Sequence, residues 1–322
     1  DITQNLGGNR LRGVPVNDNG TFLTDIRWNH NEATDFLDMS AKVALAQYRF
    51  SPGVNWDVDV AARWFENSEH QMYHEPLGLI DRDRDGVAEW MTRQLRNQLR
   101  DNEGLTLAAN AVWRTRTGEM EHKVLFGADT YRLDADFNAQ TANSADLARN
   151  AGPVPGLDLY HPVYGASSWR DYGLDRLPWR NTSTRSDRQG LYVQDEIALT
   201  PRWQLLAGLR WDRFKDVDNL SGVRVDGNDT SWRLGSTYAL TEGVNLYANI
   251  AAGFVPQTAA NQDRTAGGPF DPERSRQWEL GMKTLLGERY TLNGAVYRIE
   301  RSNIVQATGT VVNGVNQLRA LG

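Results

Sequence analysis

The sequence predicts an all-β, membrane-spanning fold: an antiparallel up-and-down β-barrel with short turns at one end and long loops at the other. Three observations carry that expectation. Apolar residues recur at every second position in many segments, tryptophans bracket those rows at a repeated spacing, and short connections alternate with long ones.

The clearest row is "WQLLAGLRWD" (203–212), which places Trp203, Leu205, Ala207, Leu209 and Trp211 on one face, with Gln204, Gly208, Arg210 and Asp212 among the residues between them. "WDVDVAARW" (56–64) sets Trp56, Val58, Val60, Ala62 and Trp64 against Asp57, Asp59 and Arg63. Similar rows occur in "LTLAANAVW" (105–113), "SWRLGSTYAL" (231–240) and "NLYANI" (245–250), and all read as strands. Trp56 and Trp64 are eight residues apart, as are Trp203 and Trp211. At about 3.3 Å per residue that is roughly 26 Å along a strand. A tilt of about 40° shortens it to roughly 20 Å, close to the apolar band of about 25 Å that aromatic girdles flank in membrane barrels. An indole, apolar with one polar N–H, suits each interface. A soluble sheet with tryptophan packed in its core is the alternative for these rows. Asp195 is at odds with the pattern, because it falls on the apolar row with Val193 and Ile197, where a charge is costly at mid-membrane.

Short turns are expected at 51–55, 117–120, 200–201, 241–243 and 286–288, and long polar segments at 73–89, 138–185, 215–228 and 254–273. That asymmetry suits a barrel with short periplasmic turns and long extracellular loops. About ten or eleven strands are expected. The segment 138–185 is too long for a structureless loop in a compact soluble domain and marks a functional loop. No 20–50-residue repeat argues for a propeller or solenoid.

A chain of 322 residues could form one large β-domain or two ordinary ones. Its 35 basic and 41 acidic residues give a net charge of −6, with the cations scattered, which excludes a nucleic-acid partner. There is no cysteine, hence no disulfide framework and no thiolate site; this fits a small cytosolic protein or a bacterial envelope protein. No run of eighteen apolar residues could form a spanning helix, and a barrel needs none. The start, "DITQNLGGNR", lacks a signal-peptide pattern, so the chain is read as mature or as beginning inside something larger.

Chemistry has few footholds. "DRDRDG" (81–86) resembles the first half of a calcium loop, with Asp81, Asp83 and Asp85 alternating before Gly86 and Glu89 at the ninth position. The twelfth position is Thr92, where a bidentate Glu belongs, which favours a solvated loop. His70 and His74 on one strand would lie about 13 Å apart, too far to share a metal. No HExxH, GxSxG, GxGxxG or phosphate-loop pattern occurs, so no enzyme is expected. The segment 157–180 gathers Tyr160, His161, Tyr164, Trp169, Arg170, Tyr172, Arg176, Trp179 and Arg180. Aromatic faces with guanidinium groups suit a bulky anionic ligand. They equally suit loop-on-loop packing or contact with lipopolysaccharide.

"GLYVQDEIALTPRWQLLAGLRWD" (190–212), "NLYANIAAGFVPQ" (245–257), "DPERSRQWELGMK" (271–283) and "LNGAVYRIERSNIV" (292–305) together resemble TonB-dependent outer-membrane siderophore receptors of the ferrichrome-type branch. The likeness runs from about 100 to 305, and "RGVPVNDNG" (12–20) with the strands to about 72 fits more loosely. The resemblance implies a 22-stranded barrel around an N-terminal plug in the bacterial outer membrane, binding an iron(III)-siderophore and importing it when the TonB complex pulls on the plug. Residues 1–322 then form a partial barrel domain without the plug or the closing strands, about half of the whole. Ferric siderophore, outer-membrane lipid and lipopolysaccharide, and the TonB complex through the plug are the implied partners; no cofactor is. In that family the aromatic at the position of Phe254 contacts the siderophore, as do aromatics at the external end of the strand matching 64–74, which points more loosely to Tyr73. By its own sequence Phe254 ends a strand before Pro256, so its ring can project toward the lumen.

The rival readings are an importer of haem, cobalamin or another metal chelate, a diffusion porin, a soluble carbohydrate-binding β-sandwich, and an outer-membrane hydrolase. A porin would need no ligand aromatics, and a hydrolase would need an activated nucleophile that the sequence does not offer.

Overall fold

The computed structural model describes residues 2–7, 14–144, 152–166, 168–287 and 289–322; of the segments read above, residues 1, 8–10, 12–13, 145–151, 167 and 288 lie outside them. The described residues form long antiparallel strands. They are β1 (Ile2–Gly7), β2 (Phe36–Phe50), β3 (Trp56–Ile80), β4 (Trp90–Thr117), β5 (Met120–Ala142), the short β6 (Leu157–Asp158) and β7 (Arg180–Thr200). Then follow β8 (Trp203–Asp218), β9 (Arg224–Thr241), β10 (Val244–Val255), β11 (Glu273–Leu286), β12 (Tyr290–Ser302), β13 (Ile304–Val312) and β14 (Val315–Leu321). The sheet order follows the chain, β1-β2-β3-β4-β5-β7-β8-β9-β10-β11-β12, with β6 pairing β4 and with β13-β14 as a separate hairpin.

Short links join β2 to β3, β4 to β5, β7 to β8, β9 to β10 and β11 to β12, whereas 81–89, 143–179 and 256–272 form long connections at the alternate ends. The strands outrun the expected ones. Residues 73–80, 138–142, 180–185, 215–218 and 224–228, read above as loop, continue β3, β5, β7, β8 and β9. β4 has 28 residues, and at about 3.3 Å each it reaches roughly 90 Å, far beyond the membrane. Hydrogen-bonded pairing continues there, while the apolar alternation stops: Tyr73, His74, Met91, Arg93 and Leu95 are buried in the smaller unit with polar and apolar side chains mixed, so no apolar row marks these stretches in the sequence.

The chain divides into two compact units. The larger comprises Ala44–Trp64, Gly104–Asp134 and Thr184–Gly322 and holds the alternating rows. Register aligns them across strands. Leu191 faces Trp211 and Val193 faces Leu209; Ala207 faces Leu234 and Trp203 faces Tyr238. Ile250 lies between Leu234 and Trp278, and Ala248 faces Leu280. These rows are open, with Leu209 53 % and Leu280 56 % exposed. An apolar belt of this extent requires a non-aqueous neighbour. Aromatics bound it. Trp56 stacks on Trp113 at 5.7 Å, and the Trp203 indole N–H donates to Ser236 Oγ at 2.9 Å.

Asp195, the residue at odds with the row, faces Ala207, midway between Trp203 and Trp211. Its carboxylate accepts from His122 Nδ1 of β5 at 2.7 Å. His122 shares the alternation of Phe126, whose ring stacks on Trp56. The acid therefore meets the belt as half of a hydrogen-bonded pair, which offsets part of the cost of an isolated charge, while Asp195 Oδ1 and His122 Nε2 stay buried without a partner among the described residues.

The opposite face is polar and braced over glycine. Arg210 of β8 lies across Gly190 of β7 and grips Asp129 of β5 with both terminal nitrogens, at 2.6 and 2.9 Å, while its Nε donates to Asp212 at 2.8 Å. Tyr192 of β7 lies across Gly127 of β5 and donates to Asn110 of β4 at 2.5 Å. Arg233 of β9 crosses Gly208 of β8 and donates to Gln194 of β7. Each brace skips one strand, and a Cβ on Gly190 or Gly127 would overlap the side chain that crosses it.

Gly190→Ala should dislodge Arg210 and leave Asp129 without its bidentate partner, lowering the stability of the folded receptor by about 1–3 kcal/mol in reversible urea unfolding; the same change beside Arg210→Met should add little. Leu209→Arg, at the centre of the belt, should destabilise it by about 2–4 kcal/mol in the same assay in lipid vesicles.

Candidate ligand-binding site

The smaller unit comprises Asp1–Val43, Phe65–Glu103 and Ala135–Ser183 and contains the long connection 143–179. Unlike the larger unit it has an ordinary interior. Met72, Leu95, Ala142, Val154, Tyr172 and Leu174 form one cluster, with Phe36, Trp169 and Leu177 packed against it. Leu23, Ala88, Met91 and Leu159 form a second beside Trp28 and Leu79.

A buried polar network ties these segments together. Asp35 accepts from the backbone N–H of His74 at 2.9 Å and from His74 Nδ1 at 2.7 Å. On the other side of the ring, His74 Nε2 and the Tyr172 hydroxyl share a hydrogen bond at 3.0 Å, so the imidazole links Asp35 to Tyr172. Arg93 donates to Glu32 at 2.9 Å, to the His30 carbonyl at 2.9 Å and to the Pro155 carbonyl at 3.2 Å. The other Glu32 oxygen accepts from the Gly165 N–H at 2.7 Å. All these side chains are buried, so each charge is paired as a low dielectric demands. No local motif announces this network, because its partners lie tens of residues apart.

The network sorts the expected ligand residues. Tyr172, 4 % exposed, is a latch for the loop, and Trp169 packs beside it. Tyr73 is 1 % exposed, enclosed within the unit, and offers no face to a ligand from that position. Tyr160, His161, Trp179 and Arg180 are exposed. Tyr164 is exposed too, with its hydroxyl donating to the Asn29 carbonyl at 2.7 Å. Partial desolvation, with the nearby Glu32 carboxylate, raises the Tyr164 phenol above its usual value. His70 and His74 have separate partners, Asn97 and Asp35, in line with the spacing on a strand.

In the acidic loop, Asp81, Asp83 and Glu89 bring carboxylate oxygens within 4.8 Å of one another, whereas Asp85 turns away to accept from the Val87 N–H at 2.8 Å. Partial desolvation pushes Asp81 up, but the N–H groups of Gly86, Arg84 and Asp85 outweigh it and hold the carboxyl below its usual value. For Asp83 the Asp85 amide pulls down, and lost solvent with the Asp85, Asp81 and Glu89 carboxylates carries it above. The turn's own amides satisfy Asp81, Asp83 and one oxygen of Glu89, while Glu89 Oε2 is buried without a partner among the described residues.

Phe254 sits in the larger unit, two residues from the end of the β10 ladder with β9, whose last pair is Ala252 with Trp232. Its ring centroid lies 6.0 Å from that of Phe214, inclined at 40°. Strict alternation would place Phe254 with Ile250 and Ala252, yet Phe214 belongs to the polar row of β8 with Arg210 and Asp212. The β9 ladder ends before Phe254, and this frees the ring to reach that row. Phe214 was missed in the sequence; its signal was an aromatic in a row of polar residues.

Tyr172→Phe should remove the hydrogen bond to His74 Nε2 and cost about 1–3 kcal/mol of local stability, read as faster amide exchange in 168–179 while the sheet keeps its protection. Because the folded Asp81 carboxyl lies below its unfolded value, its contribution is present above the usual carboxylate value and lost as pH falls through the lowered one. The amides of Arg84, Asp85 and Gly86 should therefore lose protection only in that acid range, and Asp81→Asn should abolish the transition.

The family model for the β-barrel of TonB-dependent receptor-like proteins matches residues 1–322. The ferrioxamine B receptor of Salmonella typhimurium strain SL1344 is 28 % identical over 224 residues, 68 % of this chain and 30 % of that protein. The ferrichrome outer membrane transporter/phage receptor of Escherichia coli K12 is 29 % identical over 200 residues, 59 % of this chain and 25 % of the relative. Among solved structures, the ferric-catecholate import receptor Fiu from E. coli K12 superposes with a TM-score of 0.70 at 19 % identity, covering 95 % of this chain and 47 % of that one. The FpvAI–pyocin S2 complex gives 0.75 at 14 %, covering 97 % and 41 %. The chain thus spans under a third of the length of these two curated relatives. An open apolar belt, a braced polar face, a chain-order antiparallel sheet and a family match over every residue lead to one conclusion: this chain belongs to the TonB-dependent receptor-like β-barrel family of the bacterial outer membrane, a family of receptors and not of enzymes.

Proposed function

We propose that this chain is wall and loop structure of an outer-membrane receptor that binds ferric siderophores and imports them in a TonB-dependent manner. The observation that carries this reading is the division of the larger unit into an open apolar face and a polar face rich in paired charge, with the Phe214–Phe254 pair where the β9–β10 ladder stops. Hydrocarbon takes the first face, and an aqueous path needs the second. The relatives named for ferrioxamine B and ferrichrome support an iron(III) chelate as the ligand class. Within the larger unit Phe254 is the proposed contact; within the smaller unit, taken by itself, the exposed Tyr160, His161, Trp179 and Arg180 are proposed contacts, since aromatic faces and a guanidinium can stack on and neutralise a bulky anionic chelate. Trp169 and Tyr172 contribute by holding the loop.

Lipopolysaccharide is the proposed partner of the outer row above the belt. One step beyond the Leu191–Trp211 level the facing pairs become Gln189–Arg213, Asp187–Lys215 and Arg185–Val217, and on β9 Lys215 faces Asp226 and Val217 faces Arg224. Cations at the headgroup level suit phosphorylated lipid. The TonB complex would act through a plug, as in the family at large.

The test is titration of the full natural receptor with ferrioxamine B, ferrichrome and a catecholate ferric complex, followed by tryptophan quenching, with cobalamin and haem alongside. Saturable quenching by at least one ferric siderophore, and iron uptake that stops when TonB is deleted, are expected. A response confined to cobalamin or haem would redirect the ligand assignment, and uptake independent of TonB would contradict the transport reading.

A further inference from the structure

Phe214 is 4 % exposed although it stands in a row of polar residues on β8. Two features enclose it. Its register partner on β9 is Gly227, and a Cβ built there would lie 2.9 Å from Phe214 Cζ, so the phenyl ring rests directly on the glycine backbone. Phe254 of β10 stands beside it, with ring centroids 6.0 Å apart. The chain after Phe254 is tied down: β10 ends at Val255, and Gln257, itself buried, donates to the Asn303 carbonyl at 3.0 Å and accepts from Asn261 at 3.1 Å. The short helical turn Ala259–Gln262 then runs against β8 and β9. Across the ladder from Phe254, Arg274 pairs with Asp229 at 2.6 Å and remains half-exposed. Phe254 thus lies between a buried ring and an available guanidinium.

We propose that Phe214 is a positioning residue for Phe254: seated on Gly227, it fixes the inclination of the Phe254 ring, which presents its free side together with Arg274 to the ligand. This rests on the reading of Phe254 as a ferric-siderophore contact. A phenyl ring has two rotatable bonds, and Phe254 lacks a β9 neighbour to hold it. Contact with an immobile ring at 6.0 Å, in the range preferred by aromatic pairs, selects one arrangement before the ligand arrives. Preorganisation of this kind lowers the cost of binding without adding a ligand contact.

The experiment uses the full natural receptor and measures dissociation constants of the folded fraction for the ferric siderophore that gives the strongest quenching. Phe254→Ala, Phe214→Ala, their double variant, Gly227→Ala and Phe214→Leu are compared. Phe254→Ala and Phe214→Ala should each weaken binding by about five- to tenfold, the double variant should be no weaker than Phe254→Ala within about twofold, and Phe214→Leu should recover most of the loss. Gly227→Ala, which creates no cavity and lifts the Phe214 ring, should reproduce Phe214→Ala and have no effect in the Phe254→Ala background. A merely structural role would lower the yield of folded receptor and leave the constant of that fraction unchanged. Weakening by Phe254→Ala alone, or fully additive losses, would overturn the positioning role while leaving Phe254 as a contact. No weakening in any variant would remove Phe254 from the ligand site, and this proposal with it.

Discussion

A backbone that crosses hydrocarbon must satisfy every N–H and C=O within the protein, and for strands that means unbroken pairing with both neighbours. The rest of the larger unit follows from this. Pairing fixes side-chain direction at period two, so one row of each strand must be apolar and the other is free to be polar. Register then matters at every residue, because a slip of one would turn Arg210 and Asp212 outward and Leu209 and Trp211 inward. The glycine-seated braces act on that register: Arg210 reaches Asp129 only if Gly190 lies beneath it, and Tyr192 reaches Asn110 only over Gly127. The His122–Asp195 pair does the same on the hydrocarbon side, joining β5 to β7, the two neighbours separated by the longest connection and therefore least guided by a turn.

The smaller unit solves a different problem. Among its described residues it buries apolar clusters and pairs the charges of Glu32 and Arg93, as soluble domains do. His74 between Asp35 and Tyr172, and Arg93 between Glu32 and two carbonyls, bind segments that no ladder joins. A long loop held this way can offer Tyr160, His161 and Trp179 to solvent without itself being loose. Order in the loop and availability of its aromatics are compatible because different residues of the same segment serve each.

The belt and its turns were legible in the sequence because hydrocarbon imposes a strict alternation, and Trp203 through Trp211 states it in nine residues. The extensions of β3, β8 and β9 were not, since their buried positions, among them Tyr73, His74 and Asp216, mix polar with aromatic side chains and leave no apolar alternation. Asp195 read as a flaw because its partner His122 is remote in sequence. At the end of β10, the halt of the ladder before Pro256 was legible in the sequence, whereas the placement of Phe214 depends on Gly227 of the neighbouring strand and on a register that no local motif states. Tyr73 illustrates the converse: its neighbourhood in sequence suggested a ligand face, and packing decided otherwise.

The most direct test of the two-faced sheet exploits the absence of cysteine from this sequence. Single cysteines introduced at each position from 204 to 210 in the full natural receptor, spin-labelled in a bilayer, report collision with oxygen, which concentrates in hydrocarbon, and with a water-soluble nickel chelate. Oxygen should dominate at 205, 207 and 209 and the chelate at 204, 206, 208 and 210, in strict alternation. Equal protection of both rows from both reagents would mean that a second protein layer covers the belt, and the membrane-spanning account would be wrong.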